Sequence, residues 1–252
     1  LDVDAIVRSA MNDAAMYEPL AEAMPDVSLN LGAGSMALYL GCEPVFRRES
    51  VWFEPCLDGY DDKGTVSFDG NNRWFTRHIA MYRRAKELLA GTDMLLSIPD
   101  LVENIDIVSA MRGPQQTCYD MYDSPDGVKQ AIWKINECYK PCYDAFHALC
   151  QEPDGGSAFT AFAIWGYGRT AKVQCDHSAL ISPGQFREFV MEPLREQCRW
   201  LDNTLFHLDG PDCIVHAKAL MEIEELGALQ WTTGDGKPLG GEECWDGLYK
   251  TV

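Results

Sequence analysis

The chain has 252 residues, 46% of them apolar and 24% charged, a balance that excludes wholesale disorder and allows a sizeable core. Its 39 acidic against 21 basic residues give a net charge of −18, which repels phosphate backbones and argues against nucleic-acid partners. No apolar run approaches the ~18 residues of a membrane span and no basic-plus-apolar leader opens the chain, so a cytoplasmic protein without a membrane partner is expected.

The chain reads as a single domain over 1–252. Residues 1–90 are expected to form a helical or irregular part and residues 91–252 a series of βα units. Asn71 to Ala90 carries Phe75, Ile79, Tyr82, Leu88 and Leu89 at three- and four-residue steps, predicting an amphipathic helix stopped by Gly91. Met94 to Ile98 is a short apolar run expected as a buried strand. Asn104 to Arg112 is predicted helical, closed by Gly113-Pro114. Ser124-Pro125 supplies an N-cap and a first-turn proline for a helix to about Cys150. Ala158 to Trp165 and Ala171 to Cys175 are expected as strands. Ser182-Pro183 opens a helix through Trp200. Asn203 to Leu208 is a strand, Asp212 to Glu222 a helix, and Gly227 to Trp231 a further strand.

Alternating strands and helices imply parallel pairing. Two architectures fit: a (β/α)8 barrel or an open doubly wound sheet. In both, the C-terminal strand ends carry the site, and Asp100, Asp176, Asp209 and Asp235 sit just past predicted strand ends. No glycine-rich phosphate loop follows a strand, which lowers the nucleotide-binding reading. The ten cysteines show no C-x-x-C pair, and reduced thiols are expected.

Three constellations carry chemistry. His207 and Asp209 are two apart on one strand, so both side chains leave the same face. They suit a metal pair, a base with its orienting carboxylate, or a structural pair satisfied by neighbours. Gln174-Cys175-Asp176-His177 comes second. Cys175 and His177 share a face, and a bulge would turn Asp176 inward instead. A thiolate, an imidazole and a carboxylate together suit zinc. Third, Trp165, Tyr167 and Arg169 flank two glycines and suit a flat or anionic substrate, or else a structural turn. Asp100 and Trp231 join this substrate-binding group. Trp52-Phe53-Glu54-Pro55 reads as a packing element.

The order of segments has a precedent. Val173 to Pro183, then Phe186-Arg187-Glu188-Phe189-Val190 and Pro193-Leu194, resembles the strand-to-helix block of the uroporphyrinogen decarboxylase superfamily. His207-Leu208-Asp209-Gly210 is similar to the His-x-Cys-Gly of its zinc-dependent methyltransferases. Leu31-Gly32, Leu40 to Pro44, Val51 to Pro55 and Ile223 to Trp231 are similar to an uncharacterised branch. The resemblance implies a (β/α)8 TIM barrel, incomplete here at its C-terminus, since roughly six strands are counted and closure takes eight. An unrecorded segment or an oligomer would then cover the open edge.

For function, the resemblance implies a methyltransferase moving a methyl group from a small methylated substrate to a thiol or a corrinoid protein. It implies catalytic His207, Asp209 and Asp176, with zinc on His207, Asp209 and Cys175. The alternatives are a cofactor-free decarboxylase and a non-catalytic small-molecule-binding barrel. Two departures stand out. The R-Q-A-G-R strand that binds porphyrin carboxylates in the decarboxylases is missing, and Asp209 stands where the methyltransferases carry cysteine.

Overall fold

A computed structural model describes residues 2–20, 23–48, 50–60 and 66–252. Nine strands are described: β1 (Asp26–Val27), β2 (Glu43–Phe46), β3 (Val51–Glu54), β4 (Leu95–Leu96), β5 (Gly156–Phe159), β6 (Ile164–Tyr167), β7 (Thr170–Gln174), β8 (Asn203–Asp209) and β9 (Ala228–Thr232). Parallel pairing joins β1 to β4, and β7 to β8 to β9. A parallel bridge from Ile98 to Phe159 ties the end of β4 to β5.

The result is an α/β arc of short strands, not a closed cylinder. Among the described residues the sheets hold two or three strands each, and β1 and β9 do not pair with each other. A complete eight-stranded barrel is therefore not formed among the described residues. Antiparallel pairs also interrupt the βα alternation. The expected strand Ala158 to Trp165 is a hairpin: β5 rises, a tight turn spans Ala161–Ala163, and β6 returns antiparallel. Phe162 and Ala163 make that reversal at φ 63 and 47, a left-handed backbone that non-glycine residues rarely adopt. Residues of such φ carry no turn signature, which is why the run read as one strand.

Local signals set the long helices. Asn72 caps the helix Arg73–Leu88, its side-chain oxygen accepting from the amides of Trp74 at 2.9 Å and Phe75 at 3.1 Å. Pro125–Cys150 is helical throughout its 26 residues. Ser182 and Gln185 form a capping box at the start of the helical stretch 183–200, which contains a π turn at Phe186–Val190. These helices cover one face of the arc. Phe146 is fully buried where they meet β4, its ring 4.9 Å from Tyr82 and 5.1 Å from His78.

The N-terminal part contributes a helix at Val3–Ala14 and the β2–β3 hairpin, which stands against the helix Asn104–Arg112. No helix among the described residues is long and apolar enough to cross a membrane.

Candidate functional site

Strand register places the polar residues in layers. Gln174, His207 and Gln230 are register partners across β7, β8 and β9, so their side chains leave the same face. Lys172 lies one layer below on β7, facing Leu205. The alternating residues Ala171, Val173, Phe206 and Leu208 are buried in the hydrophobic core. Asp209 ends β8 on the His207 side. Asp176 follows β7, which stops at Gln174 and passes into a 3-10 turn over Asp176–Leu180.

Asp176, His207 and Asp209 converge, one ligand atom from each lying within 4.8 Å of the others. The Gln230 side-chain oxygen holds His207 Nδ1, and the Gln230 amide is itself oriented by the Thr232 hydroxyl at 2.9 Å. That arrangement puts the proton on Nδ1 and leaves the Nε2 lone pair free to bind a ligand. The Phe162 ring, on the turn between β5 and β6, lies 4.9 Å from the imidazole.

Beneath the trio runs a buried polar network. Gln174 donates to Asp176 at 2.9 Å and to Asp106 at 3.0 Å. Asp106, in the first turn of Asn104–Arg112, accepts the backbone amides of Asp176 and His177, both at 2.8 Å. Asp176 itself opens to the cleft, yet crowding by protein atoms and the neighbouring Asp106 carboxylate push its carboxyl upward. Lys172, 2% exposed, places its ammonium 2.9 Å from Asp100 and also bonds the Gln174 side chain. Glu103 accepts the Gln174 amide at 2.6 Å, and burial pushes its carboxyl up to about 8 against the pull of Lys172. Its second oxygen is buried without a partner. Val102 and Asn104, on either side, hold φ of 58 and 45, and strained backbone of this kind gathers where a site needs fixed geometry.

Lys172, Glu103, Asp106 and Gln230 are the residues that sequence reading missed, and Gln174 was named there without a role. One signal was available: Lys172 and Gln174 put polar groups at alternate positions of the segment Ala171-Lys172-Val173-Gln174, whose other residues are apolar.

Other expected site residues land elsewhere. Cys175 is 2% exposed and outside the convergent trio, and burial pushes its thiol far up. Asp100 sits in the Lys172 network rather than in open solvent. Tyr167 and Arg169 occupy the turn leading into β7, at the opposite end of that strand from Asp176. Arg169 stacks over Trp200 and pairs with Asp144 at 3.1 Å, and Trp165 donates to Glu152 at 2.7 Å. These are packing contacts. Trp231 is the register partner of Leu208, so it faces away from His207, and its ring lies 5.1 Å from Trp245.

A cleft of about 410 Å³ opens beside the trio, lined by Asp106, Gln174, Asp176 and His177 on one side and by Val51, Trp52 and Phe53 of β3 on the other. Trp52 is thus a wall of the cleft rather than a packing element. The volume suits a small organic molecule.

No family model matches the chain, and no curated protein matches it. The chain is similar in fold to a methyltransferase. That solved structure, a methyltransferase from Methanosarcina mazei, aligns with a TM-score of 0.59 and 13% identity, covering 94% of this chain and 81% of that one. Identity this low speaks for a shared architecture alone.

Proposed function

We propose that the chain is a methyltransferase-type enzyme of the uroporphyrinogen decarboxylase superfamily whose reaction centre is Asp176, His207 and Asp209. The single observation that carries this reading is their convergence at the C-terminal strand ends, in a fold shared with a methyltransferase.

The donor set fits a divalent ion. It offers one imidazole nitrogen, already oriented by Gln230, and two carboxylates. Donors about 2.0–2.2 Å from one tetrahedral ion lie about 3.3–3.6 Å apart, so the side chains need close by about an ångström from the 4.8 Å within which they lie. The set is nitrogen- and oxygen-based, with no thiolate. Bound zinc would supply a Lewis acid that makes a thiol acidic near neutral pH.

The chain's own groups do the rest. Gln174 and Asp106 hold Asp176 in place. Trp52, Phe53 and Val51 bind the apolar part of a small methylated substrate and keep water from it. The methyl acceptor is a thiol or a corrinoid on a partner protein, reached through the open mouth of the cleft.

Metal analysis of the purified chain, followed by methyl transfer from methylthiols and methylamines to free cob(I)alamin or a thiol, tests the reading. Methylated acceptor that depends on His207 and Asp209 is the expected result. A chain that binds no divalent ion and methylates no acceptor overturns it. The buried Lys172 and the protonated Glu103 favour one second reading, a cofactor-free decarboxylase, because a neutral acid beside a cation can protonate a carbanion. Carbon dioxide release that survives chelation would select it.

A further inference from the structure

Two cysteines outside the candidate site face each other across the base of the β2–β3 hairpin. Cys42 precedes β2 and Cys56 follows β3 by two residues, and their sulfurs lie 3.4 Å apart. A disulfide is about 2.05 Å long, so bonding needs the sulfurs to approach by roughly 1.4 Å. Both backbones are anchored. The Cys42 amide donates to Ala37 at 3.0 Å, and the Cys56 amide to Met111 at 2.8 Å. The two thiols are unequal: Cys42 is buried and Cys56 exposed. The two sulfurs share a hydrogen bond, which pulls the Cys56 thiol down and pushes its buried partner up. An exposed, acidified thiol backed by a buried one is the arrangement of an attacking and a resolving cysteine.

We propose that Cys42 and Cys56 form an oxidisable dithiol that staples the β2–β3 hairpin, with a low-molecular-weight or protein disulfide as oxidant. The Cys56 thiolate attacks one sulfur of that disulfide and releases one thiol, leaving a mixed disulfide on Cys56. The Cys42 sulfur then attacks Cys56, and the second thiol leaves. Two cysteine thiols are oxidised to one disulfide, one external disulfide is reduced to two thiols, and the cysteine protons end on those thiols. The hairpin carries Val51, Trp52 and Phe53, so the staple pins one wall of the cleft. This dithiol does not depend on the methyl-transfer reading.

The exposed turn of the same hairpin supplies the test. Arg47 and Arg48 lie between the two cysteines, and Cys42 is the only cysteine before them. The native chain is incubated with glutathione disulfide, blocked with an alkylating agent and nicked at this turn with trypsin. The expected result on a non-reducing gel is one linked band that splits when thiol is added, with mass spectrometry finding Cys42 joined to Cys56. The exposed-site variant Cys56→Ser should give separate fragments without reductant. In Cys42→Ser, glutathione should persist on Cys56. Separate fragments from the oxidised native chain, or Cys42 joined to any other cysteine, overturn the proposal.

Discussion

Two histidines show how differently one side chain is used. His78 is fully buried, and both ring nitrogens have neutral partners: the Tyr39 hydroxyl at 2.6 Å and the Leu29 carbonyl at 2.8 Å. Tyr39, Tyr82 and Phe146 surround it. Burial pushes its pKa down to about 4, so it stays neutral at ordinary pH. His207 is half-buried at the strand ends. One nitrogen is held by Gln230 and the other is left open beside two carboxylates. A histidine saturated by neutral groups in a dry core holds structure, whereas one left with a free lone pair among acids can bind a ligand.

The contrast breaks most visibly in the core. Phe146→Ala should cost about 3–5 kcal/mol in urea unfolding while leaving zinc affinity of the folded chain unchanged. At the strand ends the order reverses. His207→Ala or Asp209→Asn should lower zinc affinity by at least about 100-fold in calorimetric titration, with unfolding midpoints shifted little. Gln230→Leu leaves the donors and removes only the orienting bond, so a loss nearer tenfold is expected. A His207→Ala variant that keeps full zinc affinity would show that the imidazole is not the ligand.

The contrast also shows in pH slopes of opposite sign, each about 1.4 kcal/mol per pH unit for one proton. Unfolded His78 binds a proton below about 6.5, and the folded state resists it until about 4. Its contribution is therefore full above 6.5 and is lost as pH falls toward 4. Glu103 behaves the other way. Its folded carboxyl titrates at about 8 against an ordinary 4.5, so the folded state keeps a proton that the unfolded chain has released. The Glu103 contribution should fall as pH rises from 4.5 to 8, offset by His78 up to about 6.5, and Glu103→Gln should flatten the limb between 6.5 and 8.

Much of the helical framework was legible because its signals are local. Asn72, the Ser124-Pro125 start and the Ser182 to Gln185 capping box act within one turn of the residues they cap. Period-two spacing likewise placed His207 and Asp209 on one side of β8. The aromatic turn at Trp165 to Arg169 misled because composition says nothing about which end of a strand a turn occupies. The hairpin at Phe162 was invisible because its left-handed turn falls on Phe and Ala, residues with no turn preference.

Residue order alone determined where the helices cap, which strand residues share a side and that the surface is strongly acidic, since each depends only on neighbours in the chain or on summed charge. The tertiary structure decided that Asp176 joins the pair on β8 while Cys175 turns into the core. It also decided that Glu103 meets Gln174 from 71 residues away, and that Cys42 meets Cys56 across a hairpin. Contacts of that kind exist only once strand register and loop closure have brought distant backbones together, and that register comes from burial of the whole sheet.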